Sequence, residues 1–140
     1  MKRSTYSIYL ILFVSYLSLL CYLLFFSTYR ASVGGILAYN LVPFKTIEGY
    51  FSNFTSLSLT DQFVGNILAF VPFGFFLPLL SIKLRSSFIL FVGLTFGSSL
   101  LVELTQLLTR VGAFDVDDLL LNTVGGFIGY LVSRVYRRHD

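Results

Sequence analysis

Residues Ser4 to Tyr29 carry no charge, and the apolar body of that stretch, from about Ser7 to Phe26, can cross a membrane. A helix rising about 1.5 Å per residue needs about 20 residues to span a hydrocarbon core of about 30 Å. A second charge-free window, Gln62 to Ile82, has its apolar body at Val64 to Leu80. A third runs from about Ser87 to Leu108, interrupted only by Glu103 and Gln106, and a fourth, from about Leu119 to Val135, holds Asn122 and ends in a basic tail. The pattern predicts an all-α, polytopic membrane protein forming one domain over residues 1–140, with spans at 7–26, 64–80, 87–108 and 119–135. Lys2 and Arg3 before the first span resemble the start of a cleaved leader, but the apolar stretch is too long and lacks a clear small-x-small site, so an uncleaved anchor is expected. Pro72 lies inside the second span, where its missing N–H frees the carbonyl of Leu68; a kink is expected, with that carbonyl satisfied by a neighbour or a water.

Composition agrees with this reading. Hydrophobic residues make up 56% of the chain, charged residues 12%, and mean hydropathy is +0.82. A soluble domain keeps about a quarter of its residues charged, so this chain asks for lipid as its solvent. The net charge of +3 comes from clusters rather than from a basic surface, and those clusters lack the polar or aromatic setting of a nucleic-acid module. They speak to topology instead. Of the ten Lys and Arg residues, Lys2, Arg3, Lys83, Arg85, Arg134, Arg137 and Arg138 fall on one side of the four spans, and Arg30, Lys45 and Arg110 on the other. Positive flanks are retained in the cytoplasm, which predicts cytoplasmic N- and C-termini and outward-facing loops at 30–62 and 109–118.

The first outer loop is long for a small bundle and is expected to carry structure. Phe44, Ile47, Phe51 and Phe54 recur at helical spacing, with Lys45, Glu48, Ser52 and Asn53 opposite them. That pattern predicts an amphipathic helix lying at the outer headgroup level, the alternative being a loop folded back over the bundle.

Glu103 is the most informative residue, because a carboxylate within a span costs several kcal/mol and persists only where protein, water or a partner receives it. At about 100° per residue, Ser99, Glu103, Gln106 and Arg110 fall within about 60° of one another and form one polar stripe rising to the outer boundary. The next helix begins with Phe114, Asp115, Val116, Asp117 and Asp118. Asp115 is suited to cap it, and acids in a first turn complement the helix dipole, although capping alone does not explain three of them. Asp118, Asn122, Gly125 and Gly129 share a face; Gly125 and Gly129 have the small-xxx-small spacing of closely packed membrane helices, which Gly93 and Gly97 repeat. Asn122 reads most simply as interhelical glue. With Asn66, these polar residues all map to the outer third of the bundle, whereas residues that were merely tolerated would scatter. Cys21 is the sole cysteine and His139 the sole histidine, so a disulfide framework or thiolate metal site is excluded, and no Walker, Rossmann, zinc or EF-hand spacing occurs.

The ordered set Asn40-Leu-Val-Pro-Phe44, Gly65-Asn66, Val71-Pro72-Phe73-Gly74, Glu103-x-x-Gln106, Arg110, and Asp115-x-Asp117-Asp118-x-x-x-Asn122-x-x-Gly125 resembles the VanZ-like family over residues 40–129. The resemblance implies a small bacterial envelope protein whose family namesake lowers susceptibility to teicoplanin, a lipoglycopeptide that binds cell-wall precursor at the outer surface. It adds Asn40 to the candidate binding residues Asn66, Gln106, Arg110, Asp115, Asp117, Asp118 and Asn122.

Three functional readings follow. In the first, an outer polar pocket engages membrane lipid or a lipid-linked wall precursor, with Arg110 meeting a phosphate. In the second, Glu103 is the acid or base of an intramembrane enzyme acting on a lipid-linked substrate; burial would raise its pKa and Arg110 would oppose the rise. Asp115, Asp117 and Asp118 offer oxygen ligands to Mg2+ in a variant of that reading, but the expectation is no metal and no cofactor. In the third, the chain is a proton-linked carrier, which with only four spans would need to form a homo-oligomer, or an assembly factor that packs against a partner through its glycine faces.

Overall fold

The computed structural model of the protein describes residues 3–26, 38–52 and 57–139; for residues 52, 57–61 and 139 it describes the backbone alone. Four long helices run through it: α1 (Arg3–Phe25), α3 (Leu57–Leu80), α5 (Phe88–Thr109) and α6 (Val116–His139). Each is long and apolar enough to cross a membrane. The helices overrun the predicted spans at most of their ends, because polar residues continue a helix once its core is nucleated. Two shorter helices, α2 (Lys45–Ser52) and α4 (Ile82–Ser86), lie at opposite ends of the bundle. Strands β1 (Tyr39–Asn40) and β2 (Phe114–Asp115) pair in parallel, with Tyr39 opposite Phe114 and Asn40 opposite Asp115.

The centre of the bundle is the α3–α6 pair. These helices run in the same direction, since Asn66 near the start of α3 meets Asp118 in the first turn of α6. Glycine makes their approach feasible. A Cβ on Gly125 would sit 2.0 Å from the Ile67 carbonyl oxygen, one on Gly129 2.0 Å from that of Val71, and one on Gly74 1.8 Å from that of Gly126. Backbone therefore meets backbone, and Cα–H groups face carbonyl oxygens, which supplies packing that lipid cannot provide. Gly93 and Gly97, with the same spacing on α5, meet nothing within 4 Å. The spacing alone did not separate the working pair from the idle one.

Helix α5 runs antiparallel to α6. The Phe91 ring packs 4.6 Å from that of Tyr130, and the Asn122 amide donates to the Ser99 hydroxyl at 2.9 Å. α1 is peripheral: most of its side chains face outward, and it is tied to the bundle by the Phe13 ring on Phe73 and Phe76. The Tyr16 hydroxyl donates to the Ala69 carbonyl at 2.6 Å, one residue past the carbonyl that Pro72 releases. Helix α3 continues through Pro72 and Pro78. Ser81 and Ser87 accept from Leu84 and Leu90 and so cap α4 and α5 across the tight connection between α3 and α5.

Candidate functional site

Helix α5 buries one face. Thr95, Ser99, Glu103 and Gln106 are all buried, spaced four, four and three residues apart, so they stack on the side turned to the other helices. The predicted stripe thus exists, extended downward by Thr95, which an i−4 step from Ser99 would have found. It does not include Arg110. The helix ends at Thr109, and Arg110 takes the left-handed C-cap conformation (φ 57°), its N–H turned back to the Gln106 and Leu107 carbonyls. The side chain is carried out of the helical register and is exposed.

Glu103 is 3% exposed and faces protein. One of its carboxylate oxygens accepts the backbone N–H of Asp115 at 3.1 Å, which joins α5 to the acidic turn. Asp115 caps its own helix, as predicted: its Oδ1 accepts the Asp117 N–H at 2.9 Å. The same carboxylate accepts the Thr46 hydroxyl at 2.6 Å and the Asn40 amide at 3.1 Å, and that amide also donates to Thr46 at 3.0 Å. Asn40, Thr46 and Asp115 form a closed polar triangle clasping β1 and α2 against β2. Thr46 carried no local signal in the sequence, because its partners lie six and 69 residues away.

Asp117 does something different. It is fully buried and accepts three backbone N–H groups from the start of α2: Phe44 at 2.6 Å, Thr46 at 2.8 Å and Ile47 at 3.1 Å. Those donors are the ones a local N-cap side chain would satisfy, and Phe44 has no acceptor to offer. An acid in the first turn of α6 therefore caps α2. Helix α2 shows that the loop between the first two spans is structured; Phe44 and Phe51 are exposed, and Tyr50 is buried with its ring 5.7 Å from that of Phe63. Of the predicted amphipathic segment, Asn53 and Phe54 lie outside the described residues.

Asp118 accepts from the Asn66 amide, Asn122 donates to Ser99, and the Gln106 amide donates to the Leu24 carbonyl at 3.0 Å, closing the C-terminal end of α1 onto α5. Asp115 thus turns to the side chains of Asn40 and Thr46, Asp117 to the backbone at the start of α2 and Asp118 to Asn66, and among the described residues no group of acids is arranged to hold a metal ion. Glu103, Gln106, Asp117 and Asn122 are buried; Asn40, Asn66, Asp115 and Asp118 are half-buried, and Arg110, at the C-terminal end of α5, is exposed. Glu103, Asp115, Asp117 and Asp118 share this end, held by backbone N–H groups, amides and the positive ends of α2 and α6. Elsewhere the described residues form two apolar grooves, one of about 340 Å³ between α1 and α3 lined by Tyr16, Leu20, Leu68 and Pro72, and one of about 400 Å³ along α5 beside Gly93.

The sequence profile of the VanZ/LLP1 family matches residues 13–137, almost the whole chain. The chain is also 29% identical over 110 residues to Protein VanZ of Enterococcus faecium, an alignment covering 74% of this chain and 65% of that protein. The chain thus spans just under two thirds of this relative's length. No solved structure matches.

Proposed function

Because the chain belongs to the VanZ/LLP1 family, we propose that it is a bacterial cell-envelope protein that lowers susceptibility to teicoplanin-type lipoglycopeptides by engaging a lipid headgroup or lipid-linked wall intermediate at its outer face. The observation that carries the reading is the convergence of polar groups from α2, α3, α5, α6 and the β1–β2 pair on one end of the bundle, opposite the end rich in Lys and Arg. By the positive-inside rule the acidic end faces out and both termini face the cytoplasm. The groups divide by exposure. The buried Glu103, Gln106, Asp117 and Asn122 hold the frame, while Asn40, Asn66, Asp115 and Asp118 at the rim offer hydrogen bonds to sugar hydroxyls or amines. Arg110 offers a guanidinium to phosphate, a pairing suited to a bidentate donor.

The test is teicoplanin susceptibility of a sensitive bacterium expressing the chain. Wild type raises the inhibitory concentration, whereas Arg110→Gln and Asp118→Asn, at equal abundance in the membrane, return it toward the empty-vector level. Full protection by both variants would remove the rim from the reading. Glu103 also favours a second reading, a buried acid or base acting on a lipid-linked substrate. Mass spectrometry of envelope lipids separates the two: a covalent change that depends on Glu103 assigns an enzyme, and unchanged lipids with altered susceptibility assign a binder.

A further inference from the structure

At the end of the bundle away from the acidic turn, arginines gather where α4 and α6 meet. The Arg134 guanidinium lies 6.0 Å from the centre of the Tyr130 ring. That ring is buried and fixed against Phe91, and the Tyr130 hydroxyl donates to the Arg85 carbonyl at 3.5 Å, which holds the end of α4 beside α6. Arg137 spends its Nε on the Ser133 carbonyl at 3.0 Å, so its planar fork is oriented while its terminal nitrogens remain for another acceptor. Arg85 and Arg134 are close enough to Arg137 for their charges to act on it. Three like charges in one corner repel. The acidic side chains the structure describes, Glu48, Glu103, Asp115, Asp117 and Asp118, all belong to the opposite end.

In sequence the apolar run of α6 gives way here to Arg134, Arg137 and Arg138, the kind of basic flank that lies at a membrane surface. Toward the middle of the bundle on the same face of α6, Phe127 and Leu131 are exposed, with the exposed Phe88 ring 5.8 Å from that of Phe127, an apolar wall along which acyl chains can lie. We propose that Arg85, Arg134 and Arg137 form a binding site for the phosphodiester headgroup of an anionic phospholipid. The chemistry is that of guanidinium forks on phosphate oxygens, with Tyr130 holding the Arg134 plane in place. The acyl-facing wall favours a lipid over a free anion. This site is separate from the outer rim and stands whether or not the rim binds a wall intermediate.

The experiment is native mass spectrometry of the full chain released from nanodiscs of phosphatidylcholine mixed with phosphatidylglycerol. Wild type retains phosphatidylglycerol in preference to phosphatidylcholine. Each of Arg134→Gln and Arg137→Gln weakens that preference about fivefold, the worth of one cation at an anionic surface. Lys45→Gln, a cation at the other end, leaves it unchanged. Arg134→Lys keeps the charge and the fold but loses the planar guanidinium fork over the Tyr130 ring, so a partial loss there separates a built site from diffuse surface charge. Wild-type retention by the glutamine variants, an equal loss in Lys45→Gln, wild-type retention by Arg134→Lys, or displacement of the lipid by millimolar inorganic phosphate would each overturn the assignment.

Discussion

Phe44 has a left-handed backbone (φ 66°), and its N–H donates to the Asp117 carboxylate at 2.6 Å. A bulky residue in that region costs about 1–2 kcal/mol. It is held there because the turn aims three N–H groups at one buried charge, and a hydrogen bond to a charged group contributes about 1.5–3 kcal/mol. Asp117→Ala removes the acceptor and leaves those donors buried without it. Thermal unfolding in detergent should show a loss of about 3 kcal/mol or more, since each buried donor left unsatisfied costs about 1–3 kcal/mol. Hydrogen exchange should rise at residues 44–47 ahead of the helices. Unchanged protection there would mean that α2 is held by other contacts.

Asn40→Asp replaces an amide donor with a carboxylate facing Asp115 and Thr46. Two like charges at the 3.1 Å now spanned by a hydrogen bond cannot both remain ionised without cost. The β1–β2 pair should loosen, and stability should be lower at neutral pH than at a pH where one carboxyl is protonated. A variant equally stable at both would show that the triangle contributes little.

Gly125→Ala and Gly129→Ala should be strongly destabilising, because each new methyl would occupy the place of a carbonyl oxygen 2.0 Å away on α3. Gly93→Ala and Gly97→Ala place a methyl in open space and should be neutral or stabilising by up to about 1 kcal/mol, the helix-propensity gain of alanine over glycine. Unfolding of all four in one detergent checks the contrast; equal losses would refute the assignment of α3–α6 as the close pair.

The proposed orientation predicts reporter behaviour. Alkaline phosphatase, active only outside the cytoplasm, should be active when fused after Ser52 and inactive when fused after Arg138. The reverse pattern would turn the acidic end to the cytoplasm and remove the outer-face reading.

Four spans, the helical segment between the first two and Asp115 as a cap were legible because each rests on local signals: uninterrupted apolar length, 3.6-residue periodicity and an acid just before a helix. Glu103 was legible too, since burial of a charge in a span is costly enough to mark a position from sequence alone. Arg110 shows where periodicity stops being informative. It falls on the stripe only if the helix continues, and one left-handed residue takes it out of register.

By itself, then, the sequence determined that this protein lives in lipid, how many times it crosses, and which end gathers its polar groups, because hydrocarbon penalises every misplaced charge along the chain. Only the tertiary structure decided which acid serves which partner. Asp117 reaches a helix start 73 residues away, Asn66 finds Asp118, and Gly125 rather than Gly93 admits a neighbouring backbone. Those pairings depend on how helices of similar hydrophobicity are arranged in space, and a one-dimensional pattern of polar and apolar residues does not encode which face meets which.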